Sequence, residues 1–204
     1  MNVLPKAVED LIDALTRFPG IGPKSAARIA LYILKAPTTY TDSLITVLDN
    51  IKNIQTCSQC FNFSDKKLCN VCSSAKRNNA LIMIVEDALD LLAIEKTGVY
   101  NGVYHVLGGV ISPMNGIGPE EIRIKELLNR LKNLDGKVEI IMATNPNIEG
   151  EATALFIKNE ILKDKALKSR VIISTLARGL STGADIDYID SSTLERAYND
   201  RTNF

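Results

Sequence analysis

One histidine, no tryptophan and only four cysteines stand among the 204 residues. A lone His105 excludes a His-rich metal site within one chain, and any His-based catalytic triad has to use it. No apolar run approaches the roughly 18 residues that cross a bilayer, so no membrane role is expected. Met1 to Lys6 shows no basic start followed by an apolar stretch, and the reading is of a cytoplasmic protein. Excess charge is also missing: 24 Lys+Arg balance 24 Asp+Glu, which excludes a polycation that coats nucleic acid. Any nucleic-acid contact has to be local. The balance hides an asymmetry, because ten basic and six acidic residues lie before Ala80 and fourteen and eighteen from there on. With 46% apolar and 24% charged residues, the chain is a globular protein and not a disordered one.

What is there is ordered by changes of period. Leu4, Val8, Leu11, Ile12 and Leu15 follow a helical stripe that Phe18 to Pro23 breaks. Ala26 to Leu34 and about Asp42 to Ile54 are helical again, so the first 56 residues read as a small helical domain. After a cysteine-bearing segment, Leu81 to Val85, Val103 to Leu107, Val138 to Met142 and Val171 to Ile173 are short apolar runs of buried-strand type. Helical patterns at Leu89 to Glu95, Glu120 to Leu134 and Glu151 to Leu162 separate them. The alternation predicts a mainly parallel α/β sheet, with ligand sites at the carboxyl ends of its strands. The last thirty residues are more polar and read as a tail that packs on another domain or subunit.

All four cysteines fall in one window, Cys57 and Cys60 followed by Cys69 and Cys72. Two CxxC turns offer four thiolates to one ion, a closed tetrahedral zinc shell with no place for an activated water. Two disulfides, or a redox CxxC beside an unexplained second pair, are the other readings. Zinc fits the spacing best, one structural ion per chain. The second motif is Pro19-Gly20-Ile21-Gly22-Pro23-Lys24, followed by Arg28. Gly20 and Gly22 permit a tight hairpin with bare N–H groups, and Pro23 suits a first helical turn. Lys24 and Arg28 lie four apart on one face. The helix-hairpin-helix pattern suits a phosphodiester backbone gripped without regard to base sequence; a plain helical corner is the alternative.

The third motif pairs Val85-Glu86 with Thr144-Asn145-Pro146-Asn147-Ile148-Glu149-Gly150-Glu151. It resembles the Toprim domain of topoisomerases and primases, where a Glu and a later Asp-x-Asp hold Mg²⁺. In type IA topoisomerases the second part reads roughly Asp-Pro-Asp-Arg-Glu-Gly-Glu. Here Asn145 and Asn147 replace both aspartates, which leaves Glu86, Glu149 and Asp90 or Glu151 as a weaker site for Mg²⁺, whose dehydration charged oxygens have to offset, and argues against two-metal phosphoryl chemistry. Acidic residues on a solvated loop are the alternative. His105, in an apolar strand pattern with no nucleophile assignable to it, reads as a structural hydrogen-bonding residue.

The order of these parts resembles the RecR family of bacterial recombination mediators. Tyr104-His105-Val106-Leu107-Gly108-Gly109, Ile111-Ser112-Pro113, Gly116 to Glu120, Glu149 to Thr153 and Ala177-Arg178-Gly179-Leu180 extend the likeness over the whole chain. The tail departs: Gly179-Leu180-Ser181-Thr182-Gly183-Ala184-Asp185 stands where the family commonly has Gly-Leu-Pro-Val-Gly-Gly-Asp, in a segment sometimes called Walker B-like. The resemblance implies an α/β multidomain protein. Its expected parts are a helix-hairpin-helix domain (1–56), a four-cysteine zinc finger (57–78), a Toprim domain (79–174) and a C-terminal tail (175–204). It implies a non-enzymatic DNA-repair mediator, a dimeric or tetrameric ring that binds DNA. With RecO and RecF it would load recombinase onto gapped DNA coated with single-strand binding protein. DNA contact falls to Gly20, Gly22, Lys24 and Arg28, and partner contact to Glu86, Asp90, Glu149 and Glu151. The competing classes are a Toprim nuclease or topoisomerase-like phosphoryl transferase, and a zinc-held scaffold with no DNA role.

Overall fold

The computed structural model describes residues 3–177, 179–180 and 182–201, and the chain divides into two compact units, Met1–Ile54 and Gln55–Phe204. The first unit holds α1 (Lys6–Thr16), α2 (Pro23–Lys35) and α3 (Thr38–Ile51). α1 packs on α2 through Val8, Ala26 and Ala30, and the two alanines let the helices approach closely. α3 begins at Thr38, four residues before the apolar stripe suggests, because Pro37 sits at its N-cap with the preceding chain extended. None of its residues is buried, and Ile45, Val47, Leu48 and Ile51 stay more than half exposed.

In the second unit, β1 (Gln55–Thr56) and β2 (Phe63–Ser64) form a small antiparallel ribbon around the first cysteine pair. The four expected strands are present as β3 (Asn78–Val85), β4 (Gly102–Val106), β5 (Val138–Met142) and β6 (Val171–Thr175). They form one parallel sheet in the order β4-β3-β5-β6. The crossovers carry α4 (Ala88–Glu95), α5 (Ile124–Lys132), and α6 (Ile148–Lys163) with α7 (Lys165–Lys168). Successive side chains of β3 point to opposite faces. Ile82 and Ile84 join Leu127 and Leu131 of α5 and Ile157 and Ile161 of α6 in the larger core. Met83 and Val85 meet Leu91 of α4 and Phe61 of the cysteine segment on the other side.

The helix expected from Glu120 starts only at Ile124. Residues before it form turns, in which the Glu121 carboxylate accepts the Gly118 N–H at 2.8 Å and Arg123 N–H donates to the Leu107 carbonyl at 2.9 Å. The tail forms α8 (Ser191–Asn199), capped by the Asp190 carboxylate at Thr193 N–H. It returns to the sheet domain through a forked ion pair from Arg196 to Glu151 of α6, 2.7 and 3.3 Å. Of the tail motif, Arg178 and Ser181 lie outside the described residues.

Candidate functional site

The hairpin of the first unit is built by backbone constraints. Gly20 has φ +77°, a left-handed conformation that a side chain resists. Ile21 N–H donates to the Phe18 carbonyl at 3.1 Å and closes the turn. Gly22 is the N-cap of α2 and offers no capping side chain, so the first N–H groups of the helix face outward unshielded. Lys24 and Arg28 are exposed one turn apart, and neither forms an ion pair among the described residues. Free N–H groups, a helix N-terminus and two uncommitted cations together make an anion-accepting corner.

The four cysteine sulfurs lie within 4.8 Å of one another, the mutual spacing of ligands around one tetrahedral ion. Cys57, Cys60 and Cys69 are almost wholly buried. Cys69 N–H points at the Cys57 sulfur at 3.3 Å, a supporting contact suited to a thiolate. The Cys60 and Cys69 sulfurs lie 3.5 Å apart, and the neighbouring thiols, Cys72 foremost, pull the Cys60 pKa down while burial and the same neighbours push those of Cys69 and Cys72 up. The residues fit a structural zinc. Phe61, just past the first pair, has φ +64° and is held there by packing. Its ring meets His105 edge-on at 5.3 Å, and the Arg123 guanidinium lies 5.1 Å from its centroid. His105 is fully buried, and Nε2–H donates to the Arg123 carbonyl at 2.8 Å, the structural role its strand pattern indicated. Burial pulls its pKa down to about 3, so the ring is neutral. The cysteine segment also completes the sheet: the Cys60 carbonyl accepts the N–H of Val106 on edge strand β4 at 2.8 Å.

The acidic strand ends meet at the carboxyl edge of the sheet, but each carboxylate is engaged. Glu86 is clasped by Asn145, whose backbone N–H reaches Oε1 at 2.6 Å and whose side-chain amide reaches Oε2 at 2.7 Å. Asn147 caps α6 by accepting Gly150 N–H at 2.7 Å. A Cβ on Gly150 would fall 2.2 Å from the Asn145 carbonyl and 2.9 Å from Glu86, so only glycine permits this approach. Glu149 takes a short hydrogen bond from the Ser112 hydroxyl. Asp90 belongs to the capping box of α4 and accepts the N–H groups of Glu86 and Asp87. Glu151 pairs with Arg196. A divalent Toprim cation does not fit this arrangement: amides stand at two ligand positions, and one of them occupies both oxygens of Glu86. Beside it opens a cleft of about 580 Å³ between the start of α6 and α8, lined by Asn147, Ile148, Glu151, Asp190 and Arg196.

Comparison with known proteins matches these parts in the same order. A family model for the RecR helix-hairpin-helix covers residues 8–52, the RecR four-cysteine zinc finger 54–74, the Toprim domain 80–173 and the RecR C-terminal region 179–202. A "Recombination protein RecR" of Paenarthrobacter aurescens is 46% identical over 200 residues, 97% of this chain and 96% of its own length. Another, of Moorella thermoacetica, is 47% identical over 197 residues, 95% of each chain. A third, of Lactobacillus helveticus, is 44% identical over 199 residues, 97% of this chain and 98% of its own. The chain belongs to the RecR family of recombination proteins.

The RecR zinc-finger match and the gathered sulfurs make the four-cysteine cluster the site of one structural zinc. Sequence reasoning foresaw the cysteines because spacing alone marks them. It missed the amide clasp on Glu86, since pairing across fifty-nine residues leaves no local pattern. It also missed Arg130 of α5, whose Nη1 donates to the carbonyls of Tyr104 at 2.6 Å and Gln59 at 3.3 Å. A basic residue in the last turn of an amphipathic helix reads as surface, and this one is tucked beneath the cysteine segment.

Proposed function

We propose that the protein is a DNA-binding recombination mediator in DNA repair, without catalytic turnover of its own. It works as a homo-oligomer, a dimer or tetramer ring, in the cytoplasm. It acts with RecO and RecF to load recombinase onto gapped DNA coated by single-strand binding protein. The observation that carries the DNA part is the hairpin, where Gly20, Gly22, Lys24 and Arg28 leave N–H groups and two cations uncommitted on one corner. Such groups grip phosphates and carry no base sequence information.

Replacing Lys24 and Arg28 by Glu tests this. The double variant is expected to bind all DNA sequences more weakly. Its log affinity should fall less steeply with log salt, by about one unit of slope for each phosphate no longer neutralised. Equal affinity with an unchanged salt slope would place the DNA surface elsewhere. Glu86, Asp90, Glu149 and Glu151 form the surface we assign to partner docking. Their half-buried, hydrogen-bonded state supports that role, because such carboxylates present fixed charge to a basic partner. Glu149→Ala is expected to leave DNA binding intact and to weaken RecO association. Mg²⁺-dependent cleavage of plasmid DNA by the pure protein, lost in Glu86→Gln, would instead establish the phosphoryl-transfer alternative.

A further inference from the structure

Four thiolates around one Zn²⁺ carry a net charge of minus two, and this cluster is sealed against the sheet, not spread over the surface. Three of its cysteines are at most 5% exposed. A buried double negative charge requires compensation. Backbone N–H groups such as that of Cys69 supply part of it. The rest has to come from a cation that can reach a buried position.

Arg130 is that cation. It projects from α5, and its Nη1 is pinned between the Tyr104 carbonyl of β4 and the Gln59 carbonyl inside the first CxxC turn. Its remaining N–H groups, on Nε and Nη2, are buried and have no hydrogen-bond partner among the described residues. No carboxylate pairs with it among those residues either. Arg77, half-buried in the same unit, shows the usual solution, two short hydrogen bonds to Glu95. For Arg130 burial depresses the guanidinium pKa, and Cys72, Cys60 and Cys57 are the foremost groups that raise it. An unpaired buried cation and an uncompensated anionic cluster thus share one neighbourhood, joined through the Gln59 carbonyl.

We propose that Arg130 is the counter-cation of the zinc tetrathiolate, its charge held beneath the first CxxC turn by the bond to the Gln59 carbonyl, so that a helix of the sheet domain sets the stability of the metal site. A nearby positive charge offsets the net negative charge of the cluster and disfavours the protons that compete with zinc for the sulfurs. Zinc held this way leaves slowly.

The test uses the full-length, zinc-loaded protein and measures zinc release to a chromogenic chelator at neutral pH. It also measures the pH at which half the zinc is lost. Arg130→Met keeps the length and apolar stem without the charge; Arg130→Lys keeps the charge without the fork. Arg170→Met is the comparator, because Arg170 also donates to carbonyls, those of Leu131 and Leu134, and neither belongs to the cysteine segment. Release is expected to quicken about 10–100-fold in Arg130→Met, the usual effect of removing an outer-layer partner, and less in Arg130→Lys. The half-loss pH should move upward in the same order. In cobalt-substituted protein the sulfur-to-metal charge-transfer band should shift in the Arg130 variants and stay in place in Arg170→Met. If the Met variant is recovered only as insoluble protein, the lysine variant's half-loss pH and cobalt band decide. An unshifted band with parental release, or release that tracks thermal stability equally in the Arg130 and Arg170 variants, overturns the proposal.

Discussion

Asn145 shows how one neutral amide redirects a strand-end site. Where a type IA topoisomerase has Asp, the amide here donates to Glu86 from both its backbone and its side chain. Asn145→Asp replaces a donor with a second carboxylate facing the first. The loss of a donor to a charged acceptor costs about 1.5–3 kcal/mol, with repulsion added. A lower unfolding temperature is expected, partly restored by Mg²⁺ in the variant but unchanged by Mg²⁺ in the parent. Calorimetric scans with and without the ion check both. His105 makes a second residue-scale prediction. Its folded pKa, about 3, is below the unfolded value near 6.5, because burial disfavours the charged ring. The unfolded chain therefore binds a proton that the folded chain does not. Stability is full above about pH 6.5 and falls by about 1.4 kcal/mol per pH unit on acidification toward pH 3. His105→Gln should remove this one-proton slope from urea midpoints measured between about pH 6.5 and 5. A variant with the parent's slope would show that other groups carry it.

At the level of elements, the sequence was legible where periodicity and spacing act locally. Leu81 to Val85 and Val138 to Met142 had to be strands, since short continuous apolar runs between turns suit a sheet covered on both faces. The CxxC spacing declared the zinc site for a similar reason. Less legible was anything fixed by distant partners. α5 starts late because Arg123 is tied to Leu107, and α8 docks through Arg196 to Glu151, pairings that no window of sequence contains. The ribbon of β1 and β2 escaped notice because each strand has two residues and no period. Its stability rests on the metal, as a segment this small has too little core of its own. Cys60→Ala, or removal of zinc by a strong chelator, is expected to lower soluble yield and unfolding temperature. The DNA affinity of the molecules that remain folded should stay within a few-fold of the parent, as measured by titration corrected for the folded fraction. Selective loss of DNA binding without loss of stability would contradict a purely structural zinc.

For the whole molecule, charge and apolar surface are unevenly placed. The basic excess before Ala80 lies mainly in the cysteine segment, four basic residues against one acidic between Gln55 and Asn79, while the helical unit holds six against five, so its grip on DNA depends on the local placement of Lys24 and Arg28. α3 leaves Ile45, Val47, Leu48 and Ile51 largely exposed, more apolar surface than a lone helix in water favours. An oligomer that covers this face explains it. Leu48→Asp with Ile51→Asp is expected to reduce the assembly to smaller species at micromolar concentration. Light scattering behind a sizing column reports the mass directly, and an unchanged mass would move the subunit interface elsewhere. The bond between Val106 and Cys60 also bears on how the protein fails. A sheet edge with free N–H groups is a template for strands of other molecules, and folded proteins keep such edges covered. Here the cover is held in place by a metal ion. Chelation thus uncovers an adhesive strand on an otherwise intact sheet, and zinc-starved protein should precipitate through edge-to-edge pairing before its core has melted.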